Sequence, residues 1–129
     1  MGEHMTKPGL IRPIQDKEVE DYWRDGGVCL RGVVDPSWLD GLRRGTEEAL
    51  AQHGPHHYIQ SGEGDPGFFY TEYFVWKRIP AFRDFALHGP GGEIVARLTR
   101  STQVHFFMDG VFVKEPRTER PSRSEEHTS

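Results

Sequence analysis

One cysteine, Cys29, stands among 129 residues, so no disulfide can form within the chain. It lies in the apolar run "VCLRGVV", where a buried structural thiol and a reducing, cytoplasmic setting are expected. Long apolar runs are missing too. The opening "MGEHMTKPGLIRPIQ" has no signal-peptide core, and no segment approaches the roughly 20 apolar residues of a membrane span. The expectation is a soluble cytoplasmic chain with no membrane partner. Basic charge is not in excess: a net charge of −4 and an isoelectric point near 6.0 exclude a generally basic nucleic-acid surface. Arg43 and Arg44 read as a solvated helix face.

The motifs of common chemistries are also lacking. There is no Gly-x-Ser-x-Gly, no Cys-x-x-Cys, no phosphate-binding glycine loop, and no His-x-Asp or His-x-Glu. "HGPHH" brings His53, His56 and His57 close in sequence. Gly54 and Pro55 break any helix between them, and no Cys or carboxylate joins at a familiar ligand spacing, so a solvated loop is the better reading. His105 and Asp109 share one face of an expected strand. At about 3.3 Å per residue they stand about 13 Å apart, too far to grip one metal ion.

What is present is built to pack, with 12% aromatic residues. "DKEVEDYWRDGG" reads as a helix capped by Asp16 and stopped by Gly26 and Gly27, burying Val19, Tyr22 and Trp23. "VCLRGVV" reads as a strand. "DPSWLDGLRRGTEEALAQHG" is the clearest helix, with Asp35 as cap, Pro36 in its first turn and Gly54 ending it. Its apolar stripe is Trp38, Leu39, Leu42, Ala49 and Leu50. Residues 58–67 read as a loop, "FFYTEYFVW" as a strand, and "PAFRDFALHG" and "GGEIVARLTR" as helices. "TQVHFFMDGVFVKEP" reads as a long strand with Gly110 at a bulge or a close approach. Its two apolar faces call for cover on both sides. Three strands and four helices give an α+β class whose sheet lacks its cover, so self-association is expected.

The final stretch, "VFVKEPRTERPSRSEEHTS", changes character partway. From Glu115 onward it holds no aliphatic side chain, aromatic, Met or Cys.

The order and spacing of several segments are specific enough to carry a resemblance. "DYWRDGGVCLRGVVDPSWLDGLRRGTEEALA", "GFFYTEYFVWKRIPAFRDFALHGPGGEIVARLT" and "QVHFFMDGVFVKEP" together resemble the phytanoyl-CoA dioxygenase family over about Val19 to Pro121. That resemblance implies a non-haem Fe(II)/2-oxoglutarate-dependent oxygenase, a hydroxylase of a small organic substrate. The fold it implies is a double-stranded β-helix, or jelly roll, here incomplete: N-terminal helices and first strands within residues 1–122. Family members hold iron with a His-x-Asp pair and a distant second His, a facial triad that leaves positions open. The first ligands would fall within a few residues of Ser122, and they are absent. Instead Arg123 to Ser129, "RSEEHTS", matches what a widely used sequencing-adapter oligonucleotide encodes in this frame, so 123–129 reads as a disordered artefact.

The resemblance also sets "HFFMDGVFVK" along the inner wall near the 2-oxoglutarate pocket. Lys114 would attract a carboxylate and Met108 or Asp109 would line the pocket, with Tyr70 and Thr71 as further candidates. Fe(II) and 2-oxoglutarate are thus expected in the full-length parent and neither in this chain, which is expected to be inactive. The alternative is a non-catalytic binding or interaction module that uses the N-terminal helices.

Overall fold

The structure, a computed structural model, describes residues 9–62, 64 and 66–118. The reading of 123–129 lies outside the described residues. The class is α+β. Four α-helices, α1 (Asp16–Asp25), α2 (Pro36–Ala51), α3 (Pro80–His88) and α4 (Gly91–Thr99), accompany β1 (His57–Ile59), β2 (Phe69–Tyr73) and β3 (Gly110–Lys114). A 3-10 turn, Val75–Lys77, follows β2. Among the described residues no helix is long and apolar enough to cross a membrane.

The helices follow their local chemistry. Gln15, not Asp16, is the N-cap of α1, and its N–H donates to Glu18 Oε1 at 2.9 Å. Gly26 ends that helix with φ 79°, a left-handed conformation that costs glycine little. Asp35 accepts from the Ser37 N–H at 2.8 Å, and Pro36 opens α2 without losing an intrahelical bond. Pro80 does the same for α3, which Gly89 closes. Gly54 does not end α2: the helix stops at Ala51, and Gln52 is its C-cap.

Several expectations need correction. Residues 28–34 form no strand beyond one bridge, Val34 to Leu10, because among the described residues no second strand lies beside them to take up their backbone groups. Gly32, at φ 66°, turns the chain within this stretch. The segment is held by a polar strap instead. The Ile11 N–H donates to Val33 O at 3.0 Å, and the Arg12 guanidinium donates twice to Arg31 O at 2.9 and 2.7 Å. The same Arg12 clasps Glu18 at 2.9 and 2.8 Å and holds its carboxyl down at about 2. Cys29 is exposed, not buried, since without a sheet nothing packs over it. Of the expected α1 face only Val19 is buried. Trp23 is 55% exposed, its indole N–H donating to Leu98 O at 2.8 Å and its ring under Arg100.

The sheet is antiparallel in the order β1-β2-β3. β1 falls where the sequence predicts loop, between the helix-breaking Gly54 and Pro55 and the turn formers of "GEGDPG". It becomes a strand because Tyr58 can pair with Thr71 and Ile59 with Tyr70. β3 is shorter than expected: residues 102–109 stay irregular, since β2 ends at Tyr73 and offers no further partner. Gly110 begins the strand at a close approach, where an added Cβ would meet the Phe112 ring at 3.2 Å and Glu72 O at 3.3 Å.

Alternation along the strands divides the sheet into two faces. Tyr70, Glu72, Val111 and Val113 lie on the face toward α2, where Val111 packs with Ala49, Val75, Ile79, Ala81 and Phe82. The opposite face carries Tyr58, Phe69, Thr71, Tyr73, Phe112 and Lys114. Tyr73 sits edge-on between Tyr58 and Phe112. Phe69 and Thr71 are buried in that layer, whereas Tyr58 is 56% and Phe112 52% exposed.

Phe107, at 83% exposed, is a further exposed aromatic, on the cleft side. Contiguous exposed apolar surface beside strand edges favours association. The chain should therefore gain mass with concentration in light scattering, and the double substitution Phe107→Lys, Phe112→Lys should raise the monomer fraction. A parent chain monomeric at all concentrations would contradict this.

Candidate functional site

Two places concentrate the chemistry. The first is a cleft of about 510 Å³ between α2, α3 and α4 on one side and residues 104–110 on the other. Its walls are mostly carbon: Leu42, Phe82, Phe85, Val95 and Phe106 among them. Met108 and Asp109 both line it, as does His105. The Asp109 backbone and side chain are engaged with the corner after β2. Its carbonyl accepts from the Phe74 N–H at 2.9 Å, and its Oδ1 from the Trp76 N–H at 3.3 Å. Phe74 holds a left-handed conformation at φ 61°, uncommon for an aromatic residue, so this corner needs such bracing. Burial pushes the Asp109 carboxyl above its ordinary range, and the Trp76 N–H offsets only part of that.

The other candidates lie on the sheet. Thr71 and Lys114 share the aromatic face; Thr71 Oγ1 accepts from Gln60 Nε2 at 3.2 Å, and Lys114 Nζ stands 5.4 Å from the Phe69 ring centre. Tyr70 points to the other face. The five candidates are thus split three ways: Met108 with Asp109, Thr71 with Lys114, and Tyr70 apart.

Tyr70 belongs to a second constellation, which the sequence reading did not single out. Its hydroxyl donates to Glu72 Oε1 at 2.8 Å, with Ala49 O at 3.3 Å. Arg78 grips the same carboxylate with both arms, Nε to Oε2 at 2.6 Å and a terminal nitrogen to Oε1 at 2.7 Å. Burial alone would raise the Glu72 carboxyl, but Arg78, Tyr70 and the Gly54 N–H together hold it below its ordinary value. Burial, and then the neighbouring carboxylate, push the Tyr70 hydroxyl up to about 12. Every group here is engaged with another group of the chain, so the arrangement is one of structure. The signal for it was a lone carboxylate within a strand of aromatics, since a buried charge needs a partner.

The three histidines do not share one site. His53 and His57 meet with ring centres 4.8 Å apart, tilted by 40°, and both lie against Tyr70, while His56 packs against Phe74. Among the described residues no three His, Cys, Asp or Glu side chains gather where they could hold a metal ion. The residues described do not fit an iron centre.

Comparison with family models, with curated proteins and with solved structures found no match for this chain.

Proposed function

We propose that the chain is the N-terminal part of an Fe(II)/2-oxoglutarate-dependent oxygenase of the phytanoyl-CoA dioxygenase kind, acting on a small organic substrate. In this reading the helices and three strands begin a jelly roll, and residues of the parent beyond this chain supply the iron ligands. The single observation that supports it is the asymmetry of the sheet. One face packs on α2, while the other gathers Thr71, Phe112 and Lys114 in an aromatic layer. That is the division an outer helical cover and an inner, ligand-facing wall require. Lys114 on that wall would draw in the carboxylate of 2-oxoglutarate, while Thr71, buried and bonded to Gln60, would hold the wall in place.

The test has two arms. The genomic sequence beyond Ser122 should encode His-x-Asp within about ten residues, and an extended protein should convert 2-oxoglutarate to succinate with Fe(II) and oxygen. The chain of 129 residues should form no succinate above a protein-free control, because it has no His-x-Asp. Chelator-sensitive turnover by this chain, or genomic sequence without the motif, would defeat the reading.

A second reading, a non-catalytic binding module built on the helices, is favoured by the apolar cleft between α2, α3 and α4. It predicts ligand binding that persists in excess chelator.

A further inference from the structure

The cleft lies on the helix side of the sheet, apart from Thr71 and Lys114, and its chemistry is lopsided. Phe82, Phe85 and Phe106 contribute aromatic rings, and Met108 a polarizable thioether. Among the described residues Asp109 is the only carboxylate in its wall, and neither Lys nor Arg lines it. The size falls within the range of small-molecule sites, roughly 300–1,000 Å³.

We propose that this cleft is a binding site for a small apolar organic amine, its ammonium group directed to Asp109 and its hydrocarbon body against the rings. The argument is one of complementarity. Aromatic faces attract cations through their quadrupoles, whereas an anion would meet the Asp109 carboxylate with His105 beside it but, among the described residues, no Lys or Arg in the wall to offset it. A neutral ligand would gain the apolar contacts and leave the carboxylate where it is. An ammonium gains both, and it gives a partly desolvated carboxylate a counter-charge. Trp76, whose backbone N–H meets Asp109 Oδ1 and whose ring stands edge-on to Phe106, supplies an intrinsic reporter. This proposal is independent of the oxygenase reading.

The experiment titrates the full chain, at low micromolar concentration where light scattering reports monomer, with 3-phenylpropylamine, 3-phenylpropanol and 3-phenylpropanoate. Tryptophan fluorescence is read at neutral pH. The amine should saturate the signal at a concentration at least about tenfold below that of the alcohol or the acid. Asp109→Asn, which keeps an acceptor for the Trp76 N–H, should bring the amine down to the level of the alcohol. Gly92→Leu should weaken all three ligands. Gly92 lines the cleft and a Cβ there makes only ordinary contact, 3.7 Å from Val104, so the leucine should occupy cleft space, and an unchanged circular dichroism spectrum checks that the fold is kept. Equal binding of the three ligands, no saturable binding, or an amine preference that survives Asp109→Asn would overturn the proposal.

Discussion

Arg78→Met is expected to cost about 3–5 kcal/mol of stability, the range for stranding one partner of a buried ion pair. The size follows from where the charges sit. Glu72 is only 1% exposed and Arg78 24%, so water cannot replace the lost guanidinium. Tyr70 remains as a donor, but one hydroxyl does not neutralise a charge. In urea the unfolding midpoint should fall by roughly 1–3 M, taking an ordinary slope for a small protein. Glu72→Leu added to Arg78→Met should recover much of the loss, because no unpaired charge is then left inside. A midpoint for Arg78→Met within about 0.5 M of the parent would show that the pair contributes little.

Acid should act on the same pair. Glu72 binds its proton less readily folded than unfolded, so its contribution is complete above its ordinary value of 4.5 and drains as the pH falls below it. Glu18, held at about 2 by Arg12, loses its contribution over the same descent. Asp109 works in the opposite sense, since its carboxyl is raised in the fold and protonation there favours the folded state. The net expectation is a stability that falls between pH 4.5 and 2, more shallowly in Glu72→Leu, Arg78→Met than in the parent.

Gly54→Ala should be nearly as damaging, for a reason of space. Gly54 is buried, and a Cβ there would overlap Glu72 Oε2 and Arg78 Nε and stand 3.0 Å from Arg78 Cδ. Either the ion pair breaks or the chain between α2 and β1 moves. A loss of several kcal/mol is expected, on the order of that for Arg78→Met. Because the two changes injure one arrangement, their costs should not add. In the Glu72→Leu, Arg78→Met background the carboxylate oxygen is gone and no ion pair pins the methionine, whose Sδ and Cε can swing out of the places of Arg78 Cδ and Nε, so Gly54→Ala should cost much less, about 1 kcal/mol. A full, additive loss in that background would place the damage in the backbone of residues 52–56.

The residues that announced themselves in the sequence are those whose structure is decided locally. Asp35 with Pro36, Pro80, Gly26 and Gly89 mark helix ends because capping and φ preferences act within a turn. Strands are decided by partners distant in sequence, and although β2 and the end of β3 were legible, two other stretches misled. "VCLRGVV" has strong β propensity but, among the described residues, only Leu10 to meet, whereas "HYI" has an unpromising neighbourhood and a whole strand beside it. The same holds for the candidate sites. Residues close in sequence, such as Tyr70 and Thr71, face opposite ways. Gly54, Glu72 and Arg78 become neighbours only through the turn into β1 and the corner after β2.

That corner has a consequence for how the chain can change over time. Tyr73 pairs with Gly110, and the Phe74 N–H meets the Asp109 carbonyl, so the stretch that carries α3 and α4 leaves the sheet and returns to the same spot. Its two ends are a hydrogen bond apart. The register of β2 on β3 is set at this crossing point and does not depend on how many residues lie between. Insertions or deletions at the junction of α3 and α4 can therefore accumulate without sliding one strand along the other, provided that α3 keeps Ala81 and Phe82 against the core. The two helices are an excursion that evolution can lengthen or trim, and the cleft they wall is the part of the molecule most open to divergence.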